Sequence, residues 1–230
     1  CWTLFERADY WTRSALPLNV DTAVWKRRVP MSFRLPRGAL KPSRVVDMLV
    51  RMKIRGDGYD SVDWMDDLSS DPAWTLNVLR RMEQEELEFG FTGLADYSKI
   101  DESLIVRLRE SGCRVLDFGE VPTSTFDSDP KLERLQGAVS ACRKHRVSPV
   151  LTYVLDGDST LENCAEATKF ALSMDVLNKP TVEKNYEKAT EADLTRMNRD
   201  EWNPTKFSDL ELLGVIYAME KGRVNALRTR

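Results

Sequence analysis

Histidine is nearly missing from this sequence: of 230 residues, only His145 is one. A Ser-His-Asp triad would have to use it, and the chain has no nucleophile elbow around any serine. His145 lies in Lys144-His145-Arg146, at the expected end of a helix, where a cation complements the helix dipole. Cysteine is sparse as well. Cys1, Cys113, Cys142 and Cys164 are separated by long, irregular gaps that suit neither a zinc site nor a CxxC redox pair. They read as reduced, mostly buried thiols of a soluble, intracellular protein, with cytoplasm and organelle matrix left open. No apolar run approaches the roughly 18 residues of a membrane span, and no secretory signal is visible. P-loop and GxGxxG motifs do not occur either. The chain begins with Cys1 rather than Met, which leaves open a processed form or a piece of a longer product.

What is present is unevenly distributed. Residues 1–56 carry 12 Lys/Arg against 4 Asp/Glu, a net of +8, and the rest carries 22 basic and 33 acidic residues, a net of −11. A basic first quarter on an acidic body suggests self-docking or an anionic partner. Residues 1–25 read as an arm. Trp2, Phe5, Tyr10, Trp11 and Trp25 are dense on a polar background, and aromatics of this kind favour interfaces because they bury much area with few rotors to freeze. The alternative is that they pack on their own domain.

From Lys26 onward, strand-like and helix-like runs alternate. Expected strands are 28–33, 61–65, 87–94, 115–118 and 149–155, with a weaker sixth at 175–177. Between them, Ser43 is the expected cap of a helix to about Arg55. Asp71-Pro72 opens a second, Asp101 caps a third, and helices follow over 132–145 and 160–174. Short connections between alternating elements mark βα units on a parallel sheet. Six units suit a partial (β/α)6 barrel, so the fold class is α/β. Residues 26–178 form the barrel and 179–230 a polar linker with a final helix, which Ser208 caps. The linker, 180–205, is expected to hold no strand.

In a parallel barrel, chemistry sits at the C-terminal ends of the strands. Those ends here read Asp66-Asp67, Gly119-Glu120 and Asp156-Gly157-Asp158, with Glu162 a turn later. Such a ring of carboxylates suits a hard cation, or the hydroxyls and amine of an organic ligand. Equally, carboxylates that precede helices cap free N–H groups. A magnesium-dependent barrel enzyme using Asp66, Glu120 and Asp156 ranks last, because no histidine or lysine base falls at a strand end.

The order of passages from Lys41 to Val176 resembles the barrel core of radical S-adenosylmethionine (SAM) enzymes, especially their cobalamin-associated subgroup. KPSRVVDMLVRM resembles the helix after the cluster loop, and DSVDWMDDL the second strand with its acidic end. IDESLIVRLRESGCRVLDFGEV resembles the passage that leads to a fourth strand and Gly-x-Glu. LTYVLDGDSTLENCAEATKFA resembles the fifth strand and its loop. The resemblance implies SAM as a cofactor, contacted through Asp66, Asp67, Glu120, Gly157 and Thr160. Two matches are offset: Gly119-Glu120-Val121 departs from Gly-x-Glu by one place, and Asp158 stands where the loop's proline belongs.

One departure is larger. The family places CxxxCxxC just after the first strand, and this chain reads VPMSFRLPRGALKP there. Thiolates hold such a cluster, and no cysteine triad lies within eight residues anywhere. No iron–sulfur cluster is therefore expected, and reductive SAM cleavage is not expected of this chain. Arg34, Arg37 and Lys41 offer an electropositive lip instead. The primary expectation is a non-catalytic subunit of a larger assembly. Protein partners would dock through Trp2, Phe5, Trp11, Trp25, Arg34 and Arg37, and nucleic acid is a second candidate for the basic segment. A SAM-binding methyltransferase or cyclase whose cluster ligands come from elsewhere is the alternative.

Overall fold

Most of the apolar residues of the alternating segments pack in a six-stranded parallel sheet flanked by helices, though Leu210 and Leu213 on the last helix stay exposed. The computed structural model describes residues 28–35, 38–54, 61–120, 130–182 and 203–222. The sheet strands are β1 (Arg28–Met31), β4 (Ser61–Asp67), β5 (Gly90–Leu94), β6 (Cys113–Glu120), β7 (Ser148–Leu155) and β8 (Leu177–Val182), in that spatial order. Every neighbouring pair is parallel. Helices α1 (Pro42–Ile54), α2 (Pro72–Gln84), α3 (Glu102–Glu110), α4 (Pro130–Lys144) and α5 (Leu161–Ser173) connect successive strands, and α6 (Asp209–Glu220) follows β8. This is an α/β partial barrel, as the alternation requires.

Period-two alternation sorts the strand side chains onto two faces. Val62, Trp64, Phe91, Leu116, Phe118 and Leu151 join one buried cluster with residues of all five connecting helices. Trp64 anchors it, with its ring 4.9 Å from Phe33 and 5.7 Å from Phe91. Truncating such a residue typically costs about 3–5 kcal/mol. A second cluster joins Leu155 and α5 to α6 through Leu212, Val215 and Met219, so the final helix is packed against the barrel.

Helix starts follow the expected caps with one exception. Asp71 accepts from Trp74 N at 3.0 Å and Asp101 from Leu104 N at 2.8 Å. Ser208 and Glu211 form a capping box. The exception is α1, which begins at Pro42, so Ser43 lies inside the helix rather than before it. Proline in the first turn is pre-set for a helix and forfeits no bonded N–H.

Most strand ends shift by one or two residues, and two strands differ by more. β5 starts at Gly90, not Leu87, because the turn out of α2 lies at residues 85–86 and Leu87 N is still bonded back to Met82 O at 2.9 Å. β8 runs to Val182, through a stretch expected to hold no strand. Pro180 hid it. Among the described residues β8 is an edge of the sheet, where proline is tolerated. The aromatic arm and Arg37 lie outside the described residues, as does Cys1.

Candidate functional site

The face of the sheet away from the helices is polar at its centre. Asp63, Thr92, Asp117, Thr152 and Lys179 lie on it, one from each of β4 to β8. Thr92 Oγ1 donates to Asp63 Oδ1 at 2.7 Å. Asp117 is 6% exposed and well satisfied. Gly119 N donates to Oδ1 at 2.8 Å, Thr152 Oγ1 lies 3.0 Å from both oxygens, and Lys179 Nζ lies 2.9 Å from Oδ2. A buried carboxylate persists only with such partners. The Lys179 side chain itself is 40% exposed, against 8% for Asp117. Val115, Val150 and Leu177 form a small apolar floor on the same face.

Sequence reading missed this network, since it looked only at strand ends. The available signal was a charged residue interrupting an apolar strand, as Asp117 does in VLDFGE. Lys179 was also out of view, because it belongs to the part of β8 hidden by Pro180; it lies within that strand, not at its end.

The strand ends divide the expected SAM contacts into two groups. Asp66 and Thr160 already have structural partners. Asp66 is 7% exposed and accepts from Ser32 Oγ and Phe33 N, both at 2.6 Å, which ties the chain after β1 to β4. Thr160 caps α5, accepting from Asn163 N at 3.2 Å. Asp67 is half-buried at the end of β4, and its Oδ1 accepts from Ser69 N at 2.8 Å and Ser69 Oγ at 2.5 Å. Glu120 is exposed at the end of β6. Gly157 lies under the segment before α6: a Cβ there would sit 3.5 Å from Pro204 O.

Gly119, at φ +70°, sits where the β6–β7 register shifts. The bulge advances β6 by one residue, so that Glu120 is paired with Thr152, and Thr152 with Lys179. Three residues of complementary chemistry thus form one row across β6, β7 and β8. Bulges commonly re-aim side chains beside functional sites.

The remaining acidic residues serve loops. Asp96, after β5, accepts from Ser98 N and Oγ and pairs with Lys99 at 2.7 Å. The Lys99 ammonium and the Ser98 hydroxyl hold its carboxyl down at about 2. Asp156 accepts from Asp158 N at 3.0 Å and Ser159 Oγ at 2.9 Å. Asp158 is exposed, 3.8 Å from Lys206, and Glu162 is exposed on α5. Among the described residues, no three His, Cys, Asp or Glu side chains gather as a metal site, so Asp66, Glu120 and Asp156 do not form the magnesium set considered above. His145 Nε2 lies 2.7 Å from Glu102 Oε1, which also takes Lys144, at the ends of α4 and α3.

Between β1 and α1 the chain forms an antiparallel hairpin, β2 (Arg34–Leu35) with β3 (Gly38–Ala39). Leu40 N closes it on Phe33 O at 2.8 Å, and Trp74 Nε1 on α2 donates to Leu40 O at 2.7 Å. Lys41 is exposed just after it. The thiols of Cys113, Cys142 and Cys164 are buried elsewhere, in the helix-side clusters. Burial pushes all three thiols upward, Cys142 to about 12 and Cys164 to about 11. Among the described residues no helix is long and apolar enough to cross a membrane.

No protein-family model matches the sequence, and no curated protein matches it. Solved structures match in shape. SuiB of Streptococcus suis superposes with a TM-score of 0.53 at 17% identity, over 80% of this chain and 50% of SuiB. The radical SAM methyltransferase TsrM of Kitasatospora setae, solved with cobalamin and a [4Fe-4S] cluster, gives 0.50 at 16%, over 63% of this chain and 31% of TsrM. Methylornithine synthase (PylB) gives 0.50 at 14%, over 80% and 54%. The fold is a partial barrel of radical SAM type, and the chain spans from under a third to about half of these proteins' lengths.

Proposed function

We propose that this chain is a SAM-binding barrel that lacks the iron–sulfur cluster and acts as a non-catalytic subunit of a larger assembly. One observation carries the reading: a radical SAM-type barrel in which the loop after the first strand is a cysteine-free hairpin. A [4Fe-4S] cluster that leaves one iron open for SAM needs three thiolates close together. Residues 29–42 contain none, and Cys113, Cys142 and Cys164 sit in apolar surroundings that oppose ionisation. The residues present do not fit the cluster.

They do fit SAM. Glu120 is an exposed carboxylate and Asp67 a half-buried one, both at strand ends and suited to an amine or to ribose hydroxyls. Asp66 and Thr160 would support the site from behind, through the β1 connection and the α5 cap. TsrM holds cobalamin, and the order of sequence passages agrees with the cobalamin-associated subgroup. That makes a cobalamin-dependent methyltransferase assembly the first place to look for partners. We assign docking to the aromatic residues Trp2, Phe5, Trp11 and Trp25 with Arg34 and Arg37, on a protein surface rather than on nucleic acid.

The test is chemical. Anaerobic reconstitution with iron and sulfide, followed by SAM and dithionite, leaves the chain without a cluster absorption band and yields no 5′-deoxyadenosine. A band near the visible absorption of a [4Fe-4S] centre, with turnover, would instead mean that this chain holds a cluster itself.

A further inference from the structure

We infer that Lys179 and Glu120 together bind the α-amino-acid group of a ligand, with Lys179 taking its carboxylate and Glu120 its ammonium. The inference rests on the SAM reading only for one of its two possible sources, SAM's own methionyl end; the other is a separate amino acid.

Three observations carry it. The first is spare donor capacity. Lys179 has three N–H donors, and among the described residues its one partner is Asp117 Oδ2. Asp117 does not depend on it for hydrogen bonding, since Gly119 N and Thr152 Oγ1 already donate. The ammonium is therefore positioned from beneath by a buried carboxylate, while 40% of the side chain stays exposed. A lysine fixed in this way has lost much of its rotor freedom before a ligand arrives, which favours binding.

The second is the row. The Gly119 bulge brings Glu120 into register with Thr152 and Lys179. The Lys179 side chain reaches from β8 across β7 to Asp117 on β6, so its ammonium is brought to the strand that carries Glu120, three residues on from Asp117.

The third is charge. Asp117, Lys179 and Glu120 sum to one negative charge, with the cation held against Asp117 on β6, the strand that also carries Glu120. A phosphate dianion meets Asp117 and Glu120 at short range and is disfavoured. A ligand bearing both signs is matched at each end, and Thr152 offers a hydroxyl between them.

The experiment compares the full chain with Lys179→Met, Lys179→Arg and Glu120→Gln. Each is titrated calorimetrically with SAM and with 5′-methylthioadenosine, which keeps the nucleoside and lacks the amino-acid group. Saturation-transfer NMR then measures L-methionine against 3-methylthiopropylamine, which lacks the carboxylate. Losing a charge-assisted hydrogen bond should weaken SAM roughly tenfold or more in Lys179→Met. Lys179→Arg should retain most of the affinity, and 5′-methylthioadenosine should be unaffected throughout. Should SAM and 5′-methylthioadenosine both fail to bind the wild-type chain, the SAM reading fails and the amino-acid arm decides alone. L-methionine binding that needs Lys179 and exceeds that of the amine supports the inference. Equal binding of the two, binding of neither, or equal losses for SAM and 5′-methylthioadenosine in Lys179→Met overturns it. Thermal melts accompany every variant. Because Lys179→Met leaves Asp117 without its cation, the double variant Asp117→Asn, Lys179→Met provides a folded version of the same test.

Discussion

At the residue scale, backbone geometry fixes some positions more firmly than any contact. Gly112 adopts φ +107°, and a Cβ there would stand 2.1 Å from Phe89 O, a backbone atom with nowhere to go. Gly112→Ala is expected to destabilise the fold by about 3 kcal/mol or more, read by urea unfolding, since both φ and space oppose it. Gly119 is the contrast. It too has positive φ, +70°, but nothing lies within 4 Å of its missing Cβ, so conformation alone selects glycine there. Asp96 provides a test of electrostatics. Its carboxyl is held at about 2 in the folded chain, below its ordinary 3.8. A depressed folded value gives stability that is fully present above about pH 3.8 and lost as pH falls through 2. The pair is partly exposed, at 57% for Lys99 and 32% for Asp96, so the contribution stays within about 1 kcal/mol. Unfolding curves of wild type and Asp96→Asn should differ at neutral pH and converge towards pH 2. A gap that persists at pH 2 would show that the carboxylate charge is not its source.

At the element scale, the same joint is used three times without glycine. Glu86, Arg146 and Asp175 follow α2, α4 and α5 with φ of 50°, 58° and 50°. Each is followed by a residue whose N–H reaches back into the helix: Leu87 to Met82 O, Val147 to Cys142 O, and Val176 to Ala171 O. This is the Schellman pattern, normally closed by glycine. Exposed Arg146 is thus strained for the sake of the turn, and Arg146→Gly should raise stability by about 0.5–1 kcal/mol. Unchanged or lowered stability would mean that its side chain contributes more than the left-handed backbone costs. These joints also explain what was legible. The strand–helix order and the caps at Asp71, Asp101 and Ser208 could all be read, because residue type and position agree there. Most of the last strand, beyond the expected 175–177, could not, since Asn178, Lys179 and Pro180 look like a loop until an edge position makes proline acceptable. Its loss removed Lys179 from view. Asp63 and Asp117 were passed over for a related reason: burying a carboxylate mid-strand depends on partners from neighbouring strands, which no local pattern displays. Glu120, by contrast, was readable from its strand end, though not the bulge that places it in a row with Thr152 and Lys179.

At the scale of the whole molecule, the helix-side core is conventional and the opposite face is not. Five connecting helices and their strands share one apolar cluster, while the other side of the same strands carries Asp63, Thr92, Asp117, Thr152 and Lys179. A barrel that served only as a packing unit would gain more from apolar residues there, since a buried ion pair is seldom stabilising against them. The polar face and the hairpin after β1 together motivate a barrel that binds a ligand and does not cleave it. The most direct measurement is a calorimetric titration of the iron-free chain with SAM. The account predicts saturable, one-site binding without any cluster present, weakened in Glu120→Gln and Lys179→Met. Absence of binding heat, at concentrations where an unrelated SAM-binding protein saturates, would contradict it.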